Sequence, residues 1–136
     1  MATFDLELVS PEKLLLSRPV EMAIIPAAEG DMGVLPGHSP MIVALKGGVI
    51  EVREAGKQPE RLFVAGGFAE ITPSRVTVLA DEATPVAELS RAQAEARVRE
   101  AEAEYQAAAN DAPEVREKAM DRLLSARKMV DVAGAA

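Results

Sequence analysis

Apolar and polar residues alternate with a period of two through the first half of the chain. Phe4, Leu6 and Leu8 alternate with Asp5 and Glu7, Ile50 and Val52 with Val49, Glu51 and Arg53, and Arg75-Val76-Thr77-Val78-Leu79 repeats the habit. Side chains on a strand point to opposite faces in turn, so this pattern predicts half-buried β-strands. The interruptions carry turn chemistry. Gly47-Gly48 suits a tight hairpin with positive φ, Gly56-Lys57-Gln58-Pro59 a longer one, and Thr72-Pro73-Ser74-Arg75 a turn with proline at its second position. Many short antiparallel strands at this spacing read as a sandwich or barrel, and about 85 residues support one core.

The period changes to that of a helix near Glu88. From there to Ala109 nothing breaks a helix, and Leu89, Ala92, Ala96, Ala103 and Ala107 fall on one stripe. Asn110-Asp111-Ala112-Pro113 ends that helix and starts another, with Asp111 as the expected N-cap and Pro113 in the first turn. Val115, Ala119, Leu123, Ala126 and Val130 make the second stripe, so the segment reads as an antiparallel helical hairpin. Alanine stripes bury little area per turn, and at about 25 cal/mol per Å² they hold helices less firmly than leucine would. A mobile tail is the expectation.

Composition marks the same division. Eight of nine glycines and eight of nine prolines lie at or before Pro85, whereas residues 88 to 132 hold no glycine and only Pro113. The expected units are therefore residues 1–85 and 86–136. Acids exceed bases by 12 to 7 in residues 1 to 87 and by 10 to 8 afterwards, within a net charge of −7 over 136 residues. Acidic balance, with three Phe, one Tyr and no Trp, argues against nucleic acid, which calls for clustered Lys/Arg with stacking aromatics. The absence of cysteine fits a reducing compartment, and neither a span of about eighteen apolar residues nor an export signal is legible, so direct membrane insertion is not expected.

Three glycines, two prolines and the one histidine crowd into Gly30-Asp31-Met32-Gly33-Val34-Leu35-Pro36-Gly37-His38-Ser39-Pro40. Glycine opens backbone angles and proline closes them, so such a segment is expected to be a pre-shaped docking loop. Enzyme chemistry is thin. There is no cysteine nucleophile, no second histidine for a metal site and no phosphate loop, and Ser39 beside His38 is no triad. No catalytic residue, metal or cofactor is expected. Ala65-Gly66-Gly67-Phe68-Ala69-Glu70 lacks nucleotide-loop spacing, and its glycines read as a bulge or a close backbone approach.

The Gly30–Pro40 segment, followed by Val64-Ala65-Gly66-Gly67-Phe68-Ala69-Glu70 and Val76-Thr77-Val78-Leu79-Ala80-Asp81, resembles the ε subunit family of bacterial F-type ATP synthases over nearly the whole chain. The resemblance implies an N-terminal antiparallel β-sandwich followed by a C-terminal antiparallel two-helix hairpin. It also implies a non-catalytic central-stalk subunit, peripheral at the cytoplasmic face of the membrane, that joins the γ subunit to the polar loops of the c-ring. The family's contact loop maps onto Gly30, Asp31, Gly33, Pro36, Gly37 and His38. An anion at Asp31 suits basic groups on the ring. His38 has two readings, a direct contact and a packing residue bonded to backbone.

In many relatives the hairpin folds against the sandwich or extends into the α/β catalytic ring and inhibits ATP hydrolysis. The matching bases are Arg116, Lys118, Arg122, Arg127 and Lys128, each open as well to a solvated role in helical pairs such as Glu114 with Lys118. Some relatives bind ATP through an [IL]-D-x-x-R-A motif. Here Leu89-Ser90-Arg91-Ala92-Gln93-Ala94 puts Ser90 for a carboxylate and Gln93 for a guanidinium, so a charge-assisted phosphate contact is missing and no ATP site is expected. Without the resemblance, the same residues describe a β-sandwich ligand-binding module with a helical dimerisation hairpin.

Overall fold

The computed structural model describes residues 2–135. Strands come first: β1 (Phe4–Val9), β2 (Leu14–Val20), β3 (Met22–Ala27), β4 (Gly30–Val34), β5 (Met41–Leu45), β6 (Gly48–Arg53), β7 (Glu60–Val64), β8 (Gly67–Ile71), β9 (Arg75–Ala80) and β10 (Ala83–Pro85). A short 3-10 turn, Val86–Glu88, leads to the helices α1 (Arg91–Ala107) and α2 (Pro113–Ala135).

Hydrogen-bonded neighbours run β10-β7-β6-β3-β5-β8-β9-β1-β2, with β4 beside β3. The β3–β5 link is one residue pair, Ala27 with Leu45. There the sheet folds into two layers, β10-β7-β6-β3-β4 and β5-β8-β9-β1-β2. Pairing is antiparallel apart from β1 with β9, which run parallel with Leu8 facing Val78. The alternation decides the core: Leu6 and Leu8, Ile50 and Val52, and Val76 and Val78 are each at most 2% exposed and pack between the layers. Each such burial contributes about 1.5–3 kcal/mol.

Two of the three anticipated turns form. Gly56 takes φ +71° between β6 and β7. Between β8 and β9 the Thr72 N–H donates to the Arg75 carbonyl at 2.8 Å, and the Thr72 hydroxyl donates to the same oxygen at 2.9 Å. Gly47-Gly48 is a different object. It joins β5 to β6, which lie in different layers, and neither residue has positive φ. Both lack a side chain because of neighbours: a Cβ on Gly48 would lie 2.7 Å from Pro26 Cβ, and one on Gly47 would run into α2.

The hairpin forms with corrections in detail. Helix α1 begins at Arg91 rather than Glu88, because the Ser90 hydroxyl accepts the Gln93 N–H at 3.3 Å and caps it. Its inward stripe is Ala94, Val98, Ala101 and Tyr105, continued by the C-cap Ala108, with Val98 and Tyr105 half-buried, while Ala92, Ala103 and Ala107 are exposed and Ala96 is half-buried. An alanine-rich helix offers several equivalent stripes, and the larger Val98 and Tyr105 select the one that packs against Leu123 and Ala126. On α2, Ala119, Leu123, Ala126 and Val130 face inward as expected and Met129 joins them, but Val115 stays 46% exposed. The first helical bonds of α2 go to the Ala112 carbonyl, so Ala112 rather than Asp111 holds the N-cap position, with Pro113 next.

Phe63 shows where the hairpin sits. It lies on β7 between Leu62 and Val64 of the inner core, so alternation turns it outward, yet it is 1% exposed. Ala94 and Met129 cover it, with Ala65, Leu89, Val130 and Val132 around them. The hairpin therefore packs on the outer face of the β10-β7-β6-β3-β4 layer.

Candidate functional site

The Gly30–Pro40 segment divides in two. Gly30–Val34 is strand β4, paired with β3 from Ala27↔Gly30 to Ala23↔Val34, and only Leu35–Pro40 is loop. The expectation of one continuous loop is corrected by the regular register that Met32 and Val34 keep with Ile25 and Ala23. Gly30, at φ +141°, closes the β3–β4 hairpin. Asp31 is exposed beside it, and its carboxylate enters no hydrogen bond or ion pair among the described residues. Gly33 is exposed opposite Ile24, and a Cβ there would press on the Met22 methyl at 3.0 Å.

Past the other end of β4 the chain is tethered. Gly37, at φ +85°, donates its N–H to the Pro73 carbonyl at 2.8 Å, and the His38 N–H reaches the Leu35 carbonyl at 3.3 Å. The half-buried His38 ring holds Nδ1 2.8 Å from the Ser39 carbonyl, so that nitrogen carries the proton. Pro36, half-buried, completes the corner, leaving Leu35 56% exposed. Asp31 borders the same groove as Gly66, whereas Gly37 is tied to Pro73, and β8 spans the interval between Gly66 and Pro73. The expected contact residues thus sit at opposite ends of the sandwich.

Sequence reasoning missed an apolar row on the outer face of the other layer. Cross-strand partners run Ala44↔Phe68, Phe68↔Leu79, Leu79↔Val9 and Val9↔Leu14 across β5, β8, β9, β1 and β2. Phe68, Leu79 and Leu14 are 58%, 48% and 57% exposed. Directly opposed side chains in a sheet lie about 5 Å apart, so the row forms one band. A signal was present: Phe68 and Leu79 occupy the outward phase of strands whose inward phase, Ala69, Val78 and Ala80, is already apolar.

Few contacts fasten the hairpin. The Ser125 hydroxyl donates to the Ala65 carbonyl at 2.8 Å, and Arg97 grips Glu82 with two nitrogens, Nη1 to Oε2 at 2.8 Å. The Glu82 carboxylate holds Arg97 still more firmly protonated than a free guanidinium. Of the five tail bases, Arg122 bonds Glu104 at 3.1 Å and Arg127 pairs with Glu102 at 3.5 Å, both across to α1. Arg116, Lys118 and Lys128 are exposed and form no ion pair among the described residues, and the Glu114–Lys118 pair is likewise not made. Lys118 and Lys128 border a groove of about 1190 Å³ between α2 and the sandwich, shared with Asp31 and Asp81. At Leu89–Ala94 the Ser90 hydroxyl accepts the Gln93 backbone N–H as the cap of α1, and the Gln93 side chain is exposed.

Residues 3–86 match the family model described as the ATP synthase delta/epsilon chain, beta-sandwich domain. The chain belongs to this family. It is 56% identical to the ATP synthase epsilon chain of Granulibacter bethesdensis, over 98% of each chain. Identity to the epsilon chain of Gluconacetobacter diazotrophicus is 45%, over 98% of this chain and 95% of that one. Among solved structures it resembles a chain of the Euglena gracilis mitochondrial ATP synthase, in a complex of OSCP, F1 and c-ring, with 27% identity and a TM-score of 0.74 over 95% of this chain and 80% of that one. A chain of the Tetrahymena thermophila mitochondrial ATP synthase central stalk and c-ring shares the fold, with a TM-score of 0.69 at 14% identity and 96% coverage of each. The delta/epsilon model ends within the 3-10 turn that follows β10, and the bacterial relatives extend the likeness through both helices. No helix among the described residues is long and apolar enough to cross a membrane.

Proposed function

We propose that this chain is a non-catalytic subunit of the ATP synthase central stalk, peripheral at the cytoplasmic face of the membrane, coupling proton movement to ATP synthesis. The sandwich, residues 1–85, grips the γ subunit through the Ala44-Phe68-Leu79-Val9-Leu14 row and rests on the polar c-ring loops through the Gly30–His38 segment. Asp31 is the charged contact there, while Pro36, Gly37 and His38 fix the shape of the Leu35–Pro40 loop at the far end of β4. The hairpin, residues 86–136, is a regulatory arm whose bases Arg116, Lys118 and Lys128 are available to acidic surfaces of the α/β ring. Release of the arm also frees Arg122 and Arg127 if the two helices part. The reading needs no cofactor, and with Ser90 and Gln93 in place of a carboxylate and a guanidinium it includes no ATP site.

The observation that carries it is the exposed apolar row. Water-exposed Phe and Leu on facing strands mark a surface that a partner covers, and a partner with an elongated apolar face buries it at about 25 cal/mol per Å². Co-purification with γ tests the assignment. The native chain is expected to form a one-to-one complex, and Phe68→Asp with Leu79→Asp to abolish it while circular dichroism stays native. A complex that survives the double change overturns the assignment. A chain that instead dimerises through its helices supports the binding-module alternative.

A further inference from the structure

The geometry points to a latch for the hairpin at Gly47, and we propose that this glycine, with Ser125 and Ala65, fixes the docked position of α2. Gly47 has no positive φ, so the left-handed region is not what calls for glycine there. What excludes a side chain is α2 itself. A Cβ on Gly47 would stand 2.7 Å from Ser125 Cα and 2.8 Å from Ser125 Cβ, and would also strike the Ser125 hydroxyl. Because one of those atoms is helix backbone, no rotamer change makes room and the helix has to move.

The close approach also makes the hydrogen bond. With α2 seated against Gly47, the Ser125 hydroxyl reaches the Ala65 carbonyl at 2.8 Å in the β7–β8 connection. The Ala65 N–H in turn donates to the Glu82 carbonyl at 3.0 Å, and the Glu82 side chain holds Arg97 of α1. One glycine thus sets the distance at which the sandwich takes hold of both helices. Elsewhere Ala94 and Met129 of the hairpin rest on Phe63, a small cluster that tolerates sliding more readily than a backbone contact does. The inference concerns the chain by itself and holds or fails whether or not the released hairpin touches another subunit.

The chain has no cysteine, so Lys57→Cys and Asn110→Cys place a fluorophore pair on the β6–β7 turn and the helix–helix connection. In this labelled background a single distance is expected. Gly47→Ala should add a second population and speed amide exchange along α2 by about tenfold or more, leaving the sandwich strands protected. Ser125→Ala keeps the packing and loses the bond, with exchange in α2 roughly fivefold faster. Gly134→Ala, whose Cβ would meet only the Arg91 guanidinium at an ordinary 3.6 Å, should change nothing. An unchanged distance and unchanged α2 exchange in Gly47→Ala overturn the latch. So does equal loss of protection in the strands, which would make Gly47 a requirement of the β5–β6 connection. Should Gly47→Ala not fold, unaltered α2 exchange in Ser125→Ala sinks the proposal alone.

Discussion

Glycines carry two separate duties in this molecule, and a sequence prints the same letter for each. Gly56 and Gly37 adopt φ +71° and +85° to turn the chain, Gly47 and Gly48 make room for neighbours, and Gly67 does both. The close approach expected of Gly66-Gly67 is present, because at φ +132° a Cβ on Gly67 would strike the Leu79 carbonyl oxygen. The hairpin role expected of Gly47-Gly48 is absent, because its cause is a contact with residues 22 and 78 positions away, Pro26 and Ser125, which no local pattern encodes. Gly67→Ala combines backbone strain with a clash against another strand's backbone. It should cost more than about 2 kcal/mol and shift the urea midpoint accordingly. A stability within about 0.5 kcal/mol of native would show that β8 and β9 separate more easily than their register implies.

At the scale of elements, strands were more legible than helices for a physical reason. Each strand face has two choices, and one polar residue decides between them, as Asp5 and Glu7 do for β1. An alanine-rich helix has many near-equal faces, so the stripe through Ala92 and Ala103 looked as good as the one through Ala94 and Ala101 until Val98 and Tyr105 broke the tie by packing. Two glycines among its five residues give β4 the composition of a loop, and pairing with β3 overrides that composition. The same element view yields a prediction. The sandwich core includes no residue of the hairpin, so a chain ending at Pro85 should fold cooperatively, losing about 2 kcal/mol as Phe63 meets water. F1 reassembled with that shortened chain is expected to hydrolyse ATP faster than with the full one. Equal rates would remove the inhibitory role from the hairpin.

For the whole molecule, the proposed seating of the sandwich on the c-ring turns on the separation of Asp31 from His38. Strand β4 has five residues, about 17 Å of extended chain, between the hairpin closed by Gly30 and the corner held by Gly37. The two ends differ in what they offer. Asp31 presents a carboxylate with no partner among the described residues, whereas His38 is half-buried with Nδ1 spent on the Ser39 carbonyl and its backbone tied through Leu35. A charge at a surface rim governs docking through complementarity, and reversing it sets like charges against each other, while a ring already bonded inside its own loop has little to lose. Asp31→Lys should therefore weaken attachment to the ring by about 1–2 kcal/mol, roughly five- to thirtyfold in the binding constant. Proton pumping per ATP hydrolysed in reassembled membranes should fall with it, at an unfolding midpoint close to native. His38→Ala should leave pumping near native and lower only the stability of the Leu35–Pro40 corner. If His38→Ala uncouples as strongly as Asp31→Lys, β4 lies flat along the ring and both ends touch it. If neither uncouples, the assignment of this segment to the ring is overturned.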